Sequence, residues 1–580
     1  MILRRIVEFA ERQTTALPSG YQRRFVTKVI ELDPTGRLIN IVPLSGDLQG
    51  KRHGMRRPEP QESPMRTVAV IPRLFADNVN YVLGRAREKD KPEQIKKRHQ
   101  AWIDLVNEAG SALPDVPEVQ AVVAWIATDG PGICREDERI ELDDEITISV
   151  NGRFVTDIPE VRRFWATRGD QSQQGLCLVT GQVTSVVDRM PAPIKGVPDG
   201  QMSGTALISV NNAAGESYGL EAALNSPIST DAAEKICNGL NDLLNTEAGI
   251  DEKGRRKYQH SLRVGKTVFV AWSRELTNRN LLDDLDSPDP AHVQSLIELV
   301  SKGGRKAYFP EPSDFFVLSL SANAARIVVR DYHETTLARV EENLGRWFQR
   351  LQMMSLDGDS TKPVGIYRLA ASLYRDANKE MPAHVPTALM TAALSGRLIP
   401  DYILGLAVKR NLAMQGPYAE FNRQRYLSME RLALIKAILE QKENLNLSAL
   451  NPNHPDSAYH CGRLLAVLEQ IQRSALGDIN ATIVDRYYGA ACSSPGTILG
   501  NLVNDSQSHL AKLRKGAGDG WAQNKLAEVL EAIGDEFPKT LPLTRQGLFA
   551  LGFYHQKAHD RAAAIEAKAA KLAQAGDNAQ

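Results

Sequence analysis

The hydrophobic period changes near residue 335, and this change constrains the fold more than any other feature of the chain. Beyond it, apolar residues recur at three- and four-residue spacing in TLARVEENLGRWFQRLQ, MERLALIKAILEQK, YHCGRLLAVLEQIQRSAL, GTILGNLVNDSQSHLAKL, WAQNKLAEVLEAI and LTRQGLFALGFYHQKAHDRAAAIEAKAAKLA. Such spacing is the stripe of an amphipathic helix. Before it, short apolar and β-branched runs alternate with turn residues, and helical stretches are few. The chain therefore reads as α+β. A mixed α/β N-terminal domain spans 1–335, a helical middle region 336–446, and a C-terminal antiparallel helical bundle 447–580, with the polar stretch Asn444 to Asp456 as the second boundary. A length of 580 residues suits three or four domains at about 150 residues each.

Within the first region, MILRRIVEFAERQ predicts an amphipathic helix ended by Pro18-Ser19-Gly20. FVTKVIEL and GRLINIVPL read as two strands around the turn Asp33-Pro34-Thr35-Gly36. Gly50 to Pro64 is basic and Pro-rich, so an irregular, mobile loop is expected there. A strand TVAVIP and a helix from Asn78 to Arg87 follow. ITISVNGRFV is a hairpin through Asn151-Gly152, the pair that a type I′ turn favours. PEVRRFWATR predicts a helix, GLCLVTGQVTSVV strands, and RMPAPIKGVPDGQMSGTALISVNN a loop running into a strand. Residues 231–247 predict a helix, VGKTVFVAW a strand, 280–303 an acidic loop and a helix, and DFFVLSLSANAARIVVRDY a strand pair with a Ser-Ala-Asn turn.

Seventy Lys and Arg balance seventy Asp and Glu, which excludes a chain coated in basic residues. The balance is uneven along the sequence. Residues 1–110 hold 20 basic and 13 acidic residues, a net +7, and residues 111–160 hold 3 and 12, a net −9. A basic face able to meet phosphate can sit inside a neutral total. The five cysteines, Cys134, Cys177, Cys237, Cys461 and Cys492, form no CxxC pair, so neither a disulfide framework nor a zinc site is expected. With no apolar run of membrane-spanning length and no signal segment, the expectation is a cytoplasmic protein without a membrane partner.

Few motifs carry chemistry. Gly265-Lys266-Thr267 echoes a P-loop, but His260 stands where that motif needs glycine, so no nucleotide cofactor is expected. His559-Asp560, with His555 one helical turn away, admits a metal-dependent nuclease as an alternative reading. The informative segment is Ile194 to Tyr218, IKGVPDGQMSGTALISVNNAAGESY. Its glycines let backbone approach a ligand, Gln201, Asn211 and Asn212 can read base edges, and Lys195 can meet phosphate, with Ser203 alongside. Asn78, which follows Arg73 in RLFADN, stands at a helix start as an N-cap.

Taken together, several segments resemble the large subunit of the type I-C CRISPR interference complex (Cascade). They are MILRRIVEFAERQ with LPSGY, IELDPTGRL, RLFADNVNYVLG, IKGVPDGQMSGTALISVNNAAGESYG, LNSPISTDAAEKICNGLNDLL and FFVLSLSANAARIVV. GRLLAVLEQIQ and NATIVDRYYGAACSSPGTILGNLVNDSQSHLAKL look like that family's small-subunit-like end. The resemblance implies a non-enzymatic component of an RNA-guided machine, which recognises the protospacer-adjacent motif in double-stranded target DNA, assists strand separation and R-loop formation, and recruits a separate helicase-nuclease. It implies as partners the CRISPR guide RNA, the backbone and RNA-processing subunits, and a small subunit. In this family that small subunit can be made from an internal start, for which Met429 is the last methionine here. On this resemblance, motif contacts fall to Lys195, Gln201, Ser203, Asn211, Asn212, Asn78 and Arg73. Phosphate contacts fall to Arg23, Arg24, Lys28, Lys51, Arg52, Arg56 and Arg57. A scaffold that holds RNA and subunits without reading DNA is the third reading.

Overall fold

The computed structural model describes residues 2–13, 17–18, 20–49, 52–61, 70–86, 90–168, 173–210, 213–216, 219–251, 254–274, 281–301, 314–356, 362–413, 428–443, 447–477, 479–516 and 519–577. The chain divides into two compact units. The first is Met1–Thr246 with Ala322–Val328, and the second is Glu247–Ser321 with Val329–Gln580. The division thus falls earlier than the change of period near 335, because a four-stranded sheet shares a core with the helices that follow it.

The first unit opens with a helix, Ile2–Arg12, that buries Ile6, Val7 and Phe9. Two larger sheets follow. Strands β1 (Tyr21–Val26), β4 (Asp47–Gln49) and β5 (Arg52–Pro60) make an antiparallel sheet in the order β1-β5-β4. Strands β2 (Lys28–Leu32), β3 (Leu38–Pro43), β6 (Ala76–Asn78) and β7 (Glu145–Val150) make the other, in the order β3-β2-β7-β6, with β8 (Arg153–Phe154) on β7. Strands β2 and β7 run parallel. Their crossover includes helices Pro92–Ala112 and Pro117–Ala127, which bury Trp102 and Trp125 against Ile30, Ile146 and Ile148.

The expected FVTKVIEL strand is two strands in two sheets. Thr27 divides them by tying itself to β7: its hydroxyl donates to Asp144 Oδ1 at 2.7 Å and its amide to the Glu145 carbonyl at 2.9 Å. The expected loop over 50–64 holds strand β5 instead. Its prolines do not prevent pairing with β1, where Pro58 and Pro60 lie opposite Arg23 and Tyr21. The 78–87 helix shrinks to the single turn Val79–Val82, and Ala206 makes an isolated bridge rather than starting a strand. In TVAVIP, residues 67–69 lie outside the described residues, and the rest is not strand. The Asn151-Gly152 hairpin forms as expected, with φ of +50° and +75°. The β-rich run 175–187 gives β9 (Gln174–Leu176) and β10 (Val183–Ser185), antiparallel to each other.

In the second unit, β11 (Glu247–Ile250) pairs with β12 (Arg256–Tyr258). Strands β13 (Ser261–Val264), β14 (Thr267–Ser273), β15 (Asp314–Asn323) and β16 (Arg326–Thr336) form one sheet in that order. Gly265 and Lys266 are the two-residue turn between β13 and β14, so the GKT triplet is a hairpin corner and opens no helix. Leu337–Leu351 and the helices up to Met429–Glu443 cover one core. Five helices make the C-terminal bundle, one more than the four long patterns in the sequence: Ser457–Leu476, Ile483–Ser493, Pro495–Arg514, Gly520–Ile533 and Leu543–Asp577. Asp456 caps the first by accepting from the Ala458 amide at 2.8 Å, and Thr482 with Asp485 forms a capping box on the second. The first and last helices pack with almost no space between them. A Cβ on Gly462 would overlap the Phe549 carbonyl, and one on Gly552 the Tyr459 carbonyl. The last helix also serves two cores. It gives Phe549 and Phe553 to the bundle, and Leu548, Leu551, Tyr554 and Ala558 to the core that holds Leu432, Ile435 and Leu439.

Candidate nucleic-acid interface

The Gly-rich segment folds back on itself. Ile194 and Thr205 exchange both backbone hydrogen bonds at 2.8 Å, and the Thr205 hydroxyl adds a third to the Ile194 carbonyl. Between them lie two tight turns, closed by Gly200 N–H to Val197 O and Gly204 N–H to Gln201 O. Gly204, at φ +106°, sits where a side chain would run into Pro193, so glycine is required. Lys195, Gln201, Met202 and Ser203 are exposed along the loop, and Met202 is wholly so. On its far side the segment is pinned by Ala206, whose amide donates to the Ala325 carbonyl and whose carbonyl accepts from Ile327.

The near side is held by the helix Thr230–Asn245. Ser229 caps it by accepting from the Ala232 amide, and Ile236, Cys237, Leu240, Leu243 and Leu244 form its buried stripe. Its other side carries Asn238, Asn241, Asp242 and Asn245. Asn241 accepts from the Lys195 amide at 2.8 Å and donates to the Pro193 carbonyl at 3.0 Å. Asn245 donates to the Lys195 carbonyl at 3.0 Å. The same helix holds β1, through Asn238 to the Tyr21 carbonyl at 3.2 Å and Asp242 to Arg23 at 3.6 Å. One helix therefore positions both the loop and an arginine-bearing strand. Reading the sequence for bases and phosphates passed over these four residues. Their i, i+3, i+4, i+7 spacing was the available signal.

The pleat sorts the arginines. In β1 and β5, Arg24 lies opposite Arg57 and Phe25 opposite Arg56, so adjacent arginines point to opposite faces. Arg56 is exposed. Arg57 is not available to phosphate, which corrects the expectation for it. It is buried, pairs with Glu59 at 3.1 Å and Asp157 at 2.9 Å, and stacks on Phe154. Burial pushes the Glu59 carboxyl up to about 7 against the pull of Arg57. Arg73 is corrected on the same ground, being buried with Asp77 at 2.9 Å and Glu145 at 2.5 Å. Both arginines hold the fold together. Arg52 reaches Asp143 at 2.8 Å, and Arg24, Lys28 and Asn78 are half-buried. Asn78 occupies the N-cap position, but its side chain makes no cap bond. Lys51, Asn211 and Asn212 lie outside the described residues. The structure thus ties Lys195 and Arg23 to one helix, leaves Gln201 and Ser203 exposed on the loop that this helix holds at Lys195, and places Arg73 and Asn78 in other contacts.

Residues 3–560 match the family model described as CRISPR-associated protein (Cas_Csd1). The chain belongs to the Cas_Csd1 family. No curated protein matches it. Membership places this Cas_Csd1 chain in a CRISPR effector complex.

The three residues of the alternative metal site do not converge in this Cas_Csd1 chain. His555 is buried and bonded through Nδ1 to the Tyr459 hydroxyl at 2.9 Å. His559 is exposed, and the Asp560 carboxylate accepts from Gln556 at 2.9 Å. Among the described residues no group of three His, Cys, Asp or Glu could hold a metal ion. His555 is instead a core residue on Tyr459, and on the first bundle helix Arg463 bonds His460, Gln556 and Glu528. Burial, with the nearby Lys436 and His454, brings the His555 pKa down to about 3. All five cysteines are free and buried. Among the described residues no helix is long and apolar enough to cross a membrane.

Proposed function

We propose that this chain is the large subunit of a type I-C CRISPR interference complex, and that the loop 194–205 reads the protospacer-adjacent motif in duplex DNA. One observation carries the reading: the helix Thr230–Asn245 fixes the loop's backbone at Lys195 while holding β1 at Arg23. A base-reading element needs a rigid backbone with exposed polar tips, and a phosphate-binding strand beside it sets the register. Gln201 and Ser203 supply the tips, and Lys195 with Arg23 and Arg56, which share one face of the β1–β5 ladder, the cationic contacts. A protein contact to a short duplex motif nucleates melting, and guide pairing then carries the long-range specificity. In this reading the chain catalyses nothing itself. It works with the guide RNA, the backbone and RNA-processing subunits, a small subunit and a recruited helicase-nuclease.

The test is equilibrium binding of the assembled complex to duplexes with a correct and a scrambled motif. Gln201→Ala is expected to weaken only the correct duplex. Arg56→Ala is expected to weaken both alike and to reduce the slope of log affinity against log salt by about 1. Equal losses for Gln201→Ala on both duplexes would remove it from the reading role. Incubating the isolated chain with DNA and magnesium or manganese tests the absence of catalysis, and cleavage would overturn it.

A further inference from the structure

Three buried donors of the second unit have no acceptor: Arg410 Nε, Asn411 Nδ2 and the Tyr488 hydroxyl. Arg410 stands in the last turn of the helix Asp401–Ala413 with Asn411 beside it, and Tyr488 lies on the bundle helix Ile483–Ser493. Asn411 and Tyr488 are 3 % and 4 % exposed. A buried donor without an acceptor has lost its water and gained nothing in exchange. Three of them around one side chain point to a shared acceptor.

That side chain is Arg431, in the first turn of the helix Met429–Glu443 and 3 % exposed. Its Nη1 donates to Asn411 Oδ1 at 2.7 Å, and its Nε to the Ser372 carbonyl at 2.9 Å. A guanidinium only donates, so the Asn411 oxygen has to face Arg431, and the amide keeps both of its own hydrogens to give. Arg410 and Tyr488 both act on Arg431. Burial, reinforced by the Arg410 charge, pulls the Arg431 pKa down to about 10. Burial, with Cys492, pushes the Tyr488 phenol well above its ordinary value against the pull of Arg431, so the hydroxyl keeps its proton to donate. Among the described residues Arg410 pairs with no carboxylate. It is only half-buried, so the cluster reaches solvent along it.

We propose that Arg410, Asn411, Arg431 and Tyr488 form a binding site for a phosphate group. Water could accept the donated hydrogens, but it would not relieve the repulsion between two neighbouring guanidinium groups, which an anion does. The donors come from three residues on two helices. A phosphate spreads its charge over oxygens set tetrahedrally and can meet them all, whereas a carboxylate offers two oxygens in one plane. The group can be free phosphate or a phosphodiester of nucleic acid, since both present the same oxygens. The site is separate from the loop 194–205 and stands whether or not that loop reads DNA.

The full chain is titrated calorimetrically, in chloride of matched ionic strength, with inorganic phosphate and separately with a single-stranded RNA whose ends carry no phosphate. At least one is expected to bind, and Arg410→Gln to weaken that binding at least about tenfold. Phosphate alone binding names a free phosphate group as the ligand, and RNA alone binding names a phosphodiester. Binding of neither, or binding that Arg410→Gln leaves unchanged, overturns the proposal. Tyr488→Phe supplies a second readout. In chloride it removes a hydroxyl that has no partner, so its thermal midpoint should equal or exceed the parent's. With saturating ligand it loses a hydrogen bond to the phosphate, and its midpoint should fall below the parent's. The same order of the two proteins in both media means water or packing alone at the site, and overturns the proposal. Tyr488→Phe keeps the ring and Arg410 is half-buried, so both variants should fold.

Discussion

Asn241 offers the sharpest test of how the loop is held. Its side chain makes two hydrogen bonds to loop backbone, at Lys195 N and Pro193 O, and Asn245 makes a third at Lys195 O. Each is worth about 1 kcal/mol net, and both asparagines are half-buried, so water replaces part of what is lost. Asn241→Ala should therefore release the loop by up to about 2 kcal/mol, and Asn245→Ala by up to about 1 kcal/mol. If only the tethered loop reads the motif, apparent affinity falls with the tethered fraction, up to about 30-fold and about 5-fold respectively. The helix itself should survive, since alanine is the better helix former. Two assays are needed. Amide exchange at Lys195 should accelerate in Asn241→Ala, and binding of the complex should weaken on the correct-motif duplex while the scrambled duplex is unchanged. Unaltered exchange refutes the tether. Faster exchange with equal losses on both duplexes, or with none, refutes the loop as reader.

Three further outcomes follow from the buried groups. Arg57→Met should destabilise the isolated chain at pH 8 by about 3 kcal/mol or more, because it strands the Glu59 carboxylate, whereas Arg56→Met should stay within about 0.5 kcal/mol; urea midpoints that shift alike would contradict the assignment of Arg57 to the fold. His555 is held neutral when folded and titrates near 6.5 when unfolded, so its contribution is complete above pH 6.5 and is lost as pH falls from there toward 3. At pH 4.5 that loss is on the order of 3 kcal/mol, and His555→Phe should flatten the fall in stability by a comparable amount, with equal losses in both proteins refuting it. Gly552→Ala should force the first and last bundle helices apart at a cost of about 2 kcal/mol or more, read as a lowered thermal midpoint.

Where local chemistry decided the structure, the sequence was legible. The Asn151-Gly152 turn, the N-terminal helix, the residue 231–247 helix and the long C-terminal helices all announce themselves by period or turn residues. Partner choice was not legible. FVTKVIEL looks like one strand because Thr27 is a good strand residue; only its bond to Asp144 shows that the chain changes sheets there. The 50–64 stretch looked irregular because strand β5 draws its stability from β1 across the sheet. The site behaved likewise. Exposed Lys195, Gln201 and Ser203 follow from a Gly- and Pro-rich loop. That Arg57 and Arg73 are spent on buried carboxylates depends on Glu59, Asp77, Asp157 and Glu145 arriving from elsewhere, which composition does not reveal.

The double duty of the last helix limits where the chain can be cut. A piece beginning near Ser457 keeps the bundle intact but strips the cover from Leu548, Leu551 and Tyr554, leaving a greasy seam along its outer side. A piece beginning at Met429 starts on the first residue of the helix that supplies Leu432, Ile435 and Leu439, and it carries its own lid for that seam. Any shorter C-terminal product of this gene must borrow that lid from a neighbour, and its solubility on its own would measure how badly it needs one.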